Sequence, residues 1–175
     1  MHRSVSLKLL TLARGIQFKN LAEIGVWLGE TSYFFSQFFP EAHLYLIDPW
    51  KPSKQYLENG QGPSHIQQEY DWARKNAHRL FQNNSQVSIL QKTSHDALSL
   101  VLNHLDLVFI DGNHSYRAVK DDIQNWRRKI RRGELLTGHN YHPNFLGLIR
   151  AVHSCLKDQF KIGEDTIRFT QAETG

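Results

Sequence analysis

Cysteine is nearly absent from this 175-residue chain. Cys155 is the single one, so an internal disulfide cannot form and a disulfide-stapled secreted domain is excluded. Long apolar runs are lacking too. A membrane-spanning helix needs ~20 mostly apolar residues, whereas the best runs, such as Leu105–Ile110, are far shorter and contain Asp106. Residues 1–15 faintly imitate a secretory signal, but Lys8 interrupts the apolar part and no small-x-small cleavage site follows. The expectation is a cytoplasmic protein with no membrane partner. Charge of one sign is also scarce: the net charge is +4, weak grounds for a nucleic-acid partner. Repeats, low-complexity tracts and interdomain linkers are missing. Hydrophobic and charged fractions of 40% and 22% exclude disordered and collagen-like classes.

What is present fits one domain over 1–175, since domains usually run ~100–200 residues. Val5, Leu9, Leu12 and Ile16 fall at i, i+4, i+7 and i+11, which predicts an N-terminal helical segment within 1–19. Short apolar runs then alternate with helical periodicity. Strands are expected at 21–26, 44–48, 87–91, 106–110 and 134–138. Helices are expected at 31–39, from Ile66 to Leu80, at 95–103, from Tyr116 to Ile130 and from Leu146 to Leu156. Residues 49–64 carry three prolines and two glycines and read as a long loop of the kind that is often functional. The tail reads as two strands joined by a turn near Gly163 to Asp165. Such alternation predicts an α/β fold: a Rossmann-like three-layer sandwich with a mostly parallel sheet and an antiparallel edge hairpin.

In such a sheet ligands bind beyond the carboxyl ends of the strands, near the switch in strand order. The first strand runs into Gly25-Val26-Trp27-Leu28-Gly29 before a helix. This Gly-x-x-x-Gly spacing differs from the Gly-x-Gly-x-x-Gly that seats a dinucleotide pyrophosphate. The second strand ends in Asp48, where an acidic side chain can hold ribose hydroxyls. The fourth ends in Asp111-Gly112-Asn113-His114-Ser115-Tyr116, and the fifth in Gly138-His139-Asn140-Tyr141-His142. Two adjacent strand ends therefore aim Asp111, His114, His139 and Asn140 into one cleft. Histidine can serve as a general base near neutral pH. Asp, Asn and His can also hold a divalent cation.

The segments AEIGVWLGETS, LYLIDPW, LVFIDGNHSYRAVKDDIQNW and TGHNY together resemble class I S-adenosylmethionine (SAM)-dependent methyltransferases. They look most like methyltransferase domain family 24, a small group related to sugar and macrolide O-methyltransferases. The likeness covers about residues 20–157. It implies a seven-stranded sheet with the last strand inserted antiparallel. It implies that Glu23, Gly25 and Gly29 line the methionine part of SAM, that Asp48 binds its ribose, and that Ser94 or Asp96 sits by its adenine. It places Asp111 at the junction of cofactor and substrate, and His114 as the base for a hydroxyl of a small sugar- or natural-product-like molecule. In metal-using relatives a Gly-His-Asp supplies a ligand where this chain has Gly138-His139-Asn140. Mg²⁺ held by Asp111, His139 and Asn140 is therefore a further expectation, with an affinity lowered by the lost charge.

Most of the ten histidines are expected on the surface. Trp72 and Trp126 read as core, and Trp50 as a candidate wall of the substrate pocket. Asp121 and Asp122 are expected to face solvent or pair with a cation. The run from Arg127 to Arg132 reads as the last turns of a helix, where cations favour the dipole. Three alternatives remain open: an RNA or protein methyltransferase, a SAM-binding protein without transferase activity, and a nicotinamide-dependent enzyme, which the glycine spacing disfavours. A partner subunit completing the pocket would make a homodimer.

Overall fold

The computed structural model of the protein describes residues 17–53, 63–157, 159–163 and 168–171, the last four as backbone only. The expected helix carrying Val5, Leu9, Leu12 and Ile16 lies outside these residues, as do most of the 49–64 loop and part of the turn in the tail.

The elements alternate as their periodicity predicts. They are β1 (Asn20–Ile24), α1 (Glu30–Phe38), β2 (His43–Ile47), α2 (Gln67–Phe81), β3 (Val87–Leu90) and α3 (Ser94–Ala97). Then come β4 (Leu105–Ile110), α4 (Tyr116–Trp126), β5 (Ile130–Gly138), α5 (Leu146–Leu156), β6 (Lys161–Ile162) and β7 (Arg168–Gln171). They build a seven-stranded sheet in the order β3-β2-β1-β4-β5-β7-β6. The first five strands are parallel, and β7 runs antiparallel to both β5 and β6. The expected antiparallel hairpin thus closes one edge, with the last strand between β5 and β6.

Two apolar layers cover the two faces. All six residues of β4 are buried, as a central parallel strand requires. Val108 and Ile110 join Ala22, Ile47 and Leu136 on one face, under α4 and α5. Leu107 and Phe109 join Leu21, Leu46 and Leu135 on the other, under α1 and α2. Tyr70, Ala73, Ala77 and Phe81 form the buried stripe of α2. Trp72 lies outside that stripe and is 61% exposed, which corrects its reading as core. Trp126 is fully buried.

The basic run is not the end of a helix. Helix α4 stops at Trp126, residues Arg127–Lys129 form one 3-10 turn, and β5 begins at Ile130. Glycine at 133, with φ 84°, lies within β5, where the pairing with β4 shifts register between Leu105 and Leu107. The charges are dispersed as a result. Lys129 Nζ donates to the Val101 carbonyl at 2.9 Å, and Arg131 pairs with Asp106. Asp106 is buried and also accepts the backbone N–H groups of Lys19 and Asn20 at 2.7 and 2.8 Å, tethering the start of β1.

Candidate active site

The strand order reverses between β1 and β4, where a crevice is expected at the carboxyl ends. A cleft of about 480 Å³ opens there. Its floor is two backbones in contact. Asp111 N donates to the Ile24 carbonyl at 2.8 Å, and Gly25 N to the Ile47 carbonyl at 2.9 Å. Gly25 has φ 88°. A Cβ at this position would overlap the Asp111 carbonyl and lie 2.7 Å from Gly112 Cα. Only glycine lets the two loops meet this closely.

Asp48 joins the loops after β1 and β2. Its Oδ2 accepts the N–H groups of Val26 and Trp27 at 2.9 and 3.0 Å, and Oδ1 accepts that of Trp50 at 2.6 Å. Only 9% of the residue is exposed. Burial pushes its carboxyl above the ordinary aspartate range, while the three N–H groups pull it down. Trp27 and Trp50 hold positive φ of 51° and 44°, a conformation that L residues adopt only under constraint. Trp50 supplies part of that constraint, its indole N–H donating to the Trp27 carbonyl at 2.9 Å. Trp50 is completely buried and stands behind the cleft wall, so it is a strut and not the expected wall. Trp27 lines the cleft, edge-on to Tyr70 at 5.1 Å between ring centroids.

At the ends of β4 and β5, two imidazoles flank one carboxylate. His114 Nε2 lies 3.6 Å and His139 Nδ1 3.7 Å from Asp111 Oδ1, with all three side chains 13% exposed. Ser115 caps α4, accepting the Ala118 N–H at 3.4 Å. His114 lies against Phe145, with ring centroids 4.7 Å apart and planes tilted by 59°. His114, Asp111 and Asn140 line the cleft.

Gly25, Asp48, Ser94, Asp111, His114 and Asn140 meet around this one space. Glu23 and Gly29 stand one layer behind. Glu23 is buried and accepts a hydrogen bond from Ser32. Gly29 starts α1 in a left-handed conformation, and a Cβ there would press to 3.3 Å on Leu80 of α2. Asp96 is exposed and belongs to the cap of α3, its N–H donating to Thr93 Oγ1 at 3.2 Å and its carboxylate accepting from it at 2.7 Å.

A family model described as a methyltransferase domain, Methyltransf_24, matches residues 22–141. The chain belongs to this family. It is a class I SAM-dependent methyltransferase. No curated protein matches its sequence. Among solved structures, the O-methyltransferase TomG of Streptomyces achromogenes, determined with SAM, is 16% identical. The match covers 98% of this chain and 80% of TomG, with a TM-score of 0.69. An O-methyltransferase from Bacillus cereus, determined with SAH, is 15% identical over 98% of this chain and 82% of its own, with a TM-score of 0.64. A TDP-rhamnose 3′-O-methyltransferase of calicheamicin biosynthesis is 13% identical over 96% and 78%, with a TM-score of 0.61. These are likenesses of fold.

The expected magnesium site does not fit this methyltransferase. Mg²⁺ demands near-octahedral oxygen ligands and is held by carboxylates. Here Asp111 is the one carboxylate of the proposed set, and Asn140 Oδ1 is turned onto His139 Nδ1 at 2.6 Å. No group of three His, Cys, Asp or Glu side chains that could hold a metal occurs among the described residues. None of the described helices is long and apolar enough to cross a membrane.

One site residue escapes the sequence reading. Asp122 is 8% exposed, lines the cleft and accepts a hydrogen bond from Ser94, which corrects its expected place in solvent. The available signal is its spacing: Asp122 stands i+3 from Val119 and i−4 from Trp126, inside the buried stripe of α4.

Proposed function

We propose that this methyltransferase acts on a hydroxyl group of a small molecule, with His114 as general base. The observation that carries the reading is the pairing of His114 with Asp111 in the wall of the switch-point cleft. SAM supplies an electrophilic methyl group on a sulfonium sulfur; the protein supplies alignment and deprotonation.

The cleft's own residues suit that cofactor. Among the described residues, three carboxylates, Asp48, Asp111 and Asp122, line it against one ammonium, Lys51, a balance that favours a cationic ligand. Asp48 Oδ1 accepts one backbone N–H and keeps acceptor capacity for a ribose hydroxyl. His114 would take the proton of the acceptor hydroxyl, leaving its oxygen able to accept the methyl group that bound SAM would supply, whose bond to sulfur breaks so that neutral S-adenosylhomocysteine (SAH) leaves. Asp111, 3.6 Å away, lies beyond direct hydrogen-bond length but close enough to stabilise the imidazolium that results. Phe145 packs against the imidazole ring.

Two features favour a small acceptor over a polynucleotide. The basic residues from Arg127 to Arg132 sit where β5 begins, whereas the cleft lies where the strands end. Arg131 is committed to Asp106. The test is methyl transfer from SAM to a panel of hydroxylated sugars and phenols, read by mass spectrometry of the product. Transfer that His114→Ala slows ~10²–10⁴-fold, with SAH affinity retained, supports the reading. Full activity of His114→Ala contradicts the base assignment.

A further inference from the structure

The cleft carries hydrogen-bond donors that the proton transfer does not use. Asn113, the neighbour of His114, lines it, and so do Lys51 and Ser53 of the loop that follows β2. The amide of Asn113 is oriented from within the protein. Its Oδ1 accepts the N–H of Ser115 at 2.9 Å. A backbone N–H can only donate, so the amide atom facing it is the oxygen, and the nitrogen is turned the other way. That nitrogen donates to Ser53 Oγ at 3.5 Å, which joins the loop after β4 to the loop after β2. An amide nitrogen carries two protons, and the bond to Ser53 takes one.

Lys51 stands two residues before Ser53 and is exposed. Its ammonium is a donor with no acceptor capacity. Asp111, two residues before Asn113, faces the imidazoles of His114 and His139. Asp48 and Asp122 already accept hydrogen bonds within the protein. Donors of fixed sense, one of them charged, call for a ligand that accepts. A charge-assisted hydrogen bond is roughly twice as strong as a neutral one, so an anionic oxygen gains more here than a hydroxyl. We propose that the acceptor is a hydroxylated acid. Asn113 and Lys51 are specificity-determining residues that read an anionic oxygen group, a carboxylate or a phosphate, on the molecule whose hydroxyl His114 deprotonates. This inference rests on the proposed methyl transfer to a hydroxyl. A site built to hydrogen-bond one group discriminates against the analogue that lacks it.

The experiment is methyl transfer by the full chain to matched acid and neutral acceptors. Protocatechuate is compared with its uncharged amide, and glucose 6-phosphate with glucose. Wild type, Asn113→Asp and Lys51→Gln are assayed, and melting checks the fold of each. Wild type is expected to favour the acid of at least one pair by ~10–100-fold in kcat/KM, the worth of a hydrogen bond to a charged group, with the difference in KM. Preference in the first pair names a carboxylate, and in the second a phosphate. Asn113→Asp can still accept the Ser115 N–H but replaces the donor with an anion, and is expected to abolish or invert the preference. Lys51→Gln, which removes only the charge, is expected to narrow it. SAH affinity of both variants should stay within a few-fold of wild type, which separates acceptor recognition from cofactor binding. Transfer that favours neither acid overturns the inference while leaving methyl transfer to a hydroxyl standing. So does undiminished preference in a folded Asn113→Asp protein. Should that variant fail to fold, Lys51→Gln decides by the same criterion. Transfer to no member of either pair by folded wild type that binds SAH overturns the proposed acceptor class and this inference with it.

Discussion

Gly25 and Asp111 touch backbone to backbone: the space a side chain at 25 would need is filled by the Asp111 carbonyl. The loop after β1 and the loop after β4 thereby become one surface. Gly25→Ala must overcome a positive φ, which costs a non-glycine residue roughly 1–2 kcal/mol, and an overpacking of about 1–3 kcal/mol. Expected is a loss of about 2–5 kcal/mol in urea denaturation, accompanied by loss of SAH binding. A variant with wild-type stability and affinity would show that the two loops need not meet.

Asp106 lies at the opposite end of the sheet and is predicted to affect stability alone. It satisfies two backbone N–H groups and Arg131. Asp106→Ala strands those donors at about 1–3 kcal/mol each where they are buried. A total loss of about 2–4 kcal/mol is expected, with unchanged SAH affinity in the folded fraction. Denaturant melts paired with calorimetry separate the two effects.

Asp48 predicts a pH dependence. Burial raises its carboxyl above the ordinary aspartate value. The native state thus favours the protonated form. The stability contributed by Asp48 is fully present below the unfolded value of about 3.9 and is lost as pH rises through the raised native value. Under the proposed cofactor placement, ligand binding runs the other way, because ribose hydroxyls would donate to the ionised carboxylate. SAH affinity is expected to fall on acidification through that raised value. The step should be missing from Asp48→Asn in calorimetric titrations across the acid range.

The His139–Asn140 contact predicts indifference to magnesium. SAH affinity of wild type should not change on adding Mg²⁺ or EDTA. Asn140→Asp restores a second carboxylate beside Asp111, and aspartate tolerates the φ of 60° found there. That variant is expected to bind SAH more tightly with Mg²⁺ than without. Tightening by Mg²⁺ in wild type would contradict the donor-set argument.

The strand ends were legible in the sequence because each buried run stops where chemistry begins. Asp48, Asp111, His114 and Asn140 can be placed from that rule alone. Helices were harder. Trp72 sits two residues after Tyr70, about 200° round the helix at 3.6 residues per turn; being aromatic did not put it on the buried face. Asp122 sits at helical spacing within a buried stripe, but its partner Ser94 is 28 residues away and only the packing of α3 on α4 brings them together. The basic run looked helical because the break at Trp126 is made by tertiary pairing of β5 with β4. Trp50 looked available because its loop position is evident, while the bonds that bury it depend on Asp48 and Trp27.

The central claim is that the switch-point cleft holds an adenosyl cofactor through Asp48. Its most direct test is titration of SAH into folded wild type and Asp48→Ala. The account predicts saturable one-to-one binding by wild type, weakened at least ~10-fold by the substitution, as expected for loss of hydrogen bonds to a charged group. Failure of folded wild type to bind SAH would contradict it and leave a Rossmann-like domain whose ligand is of another class.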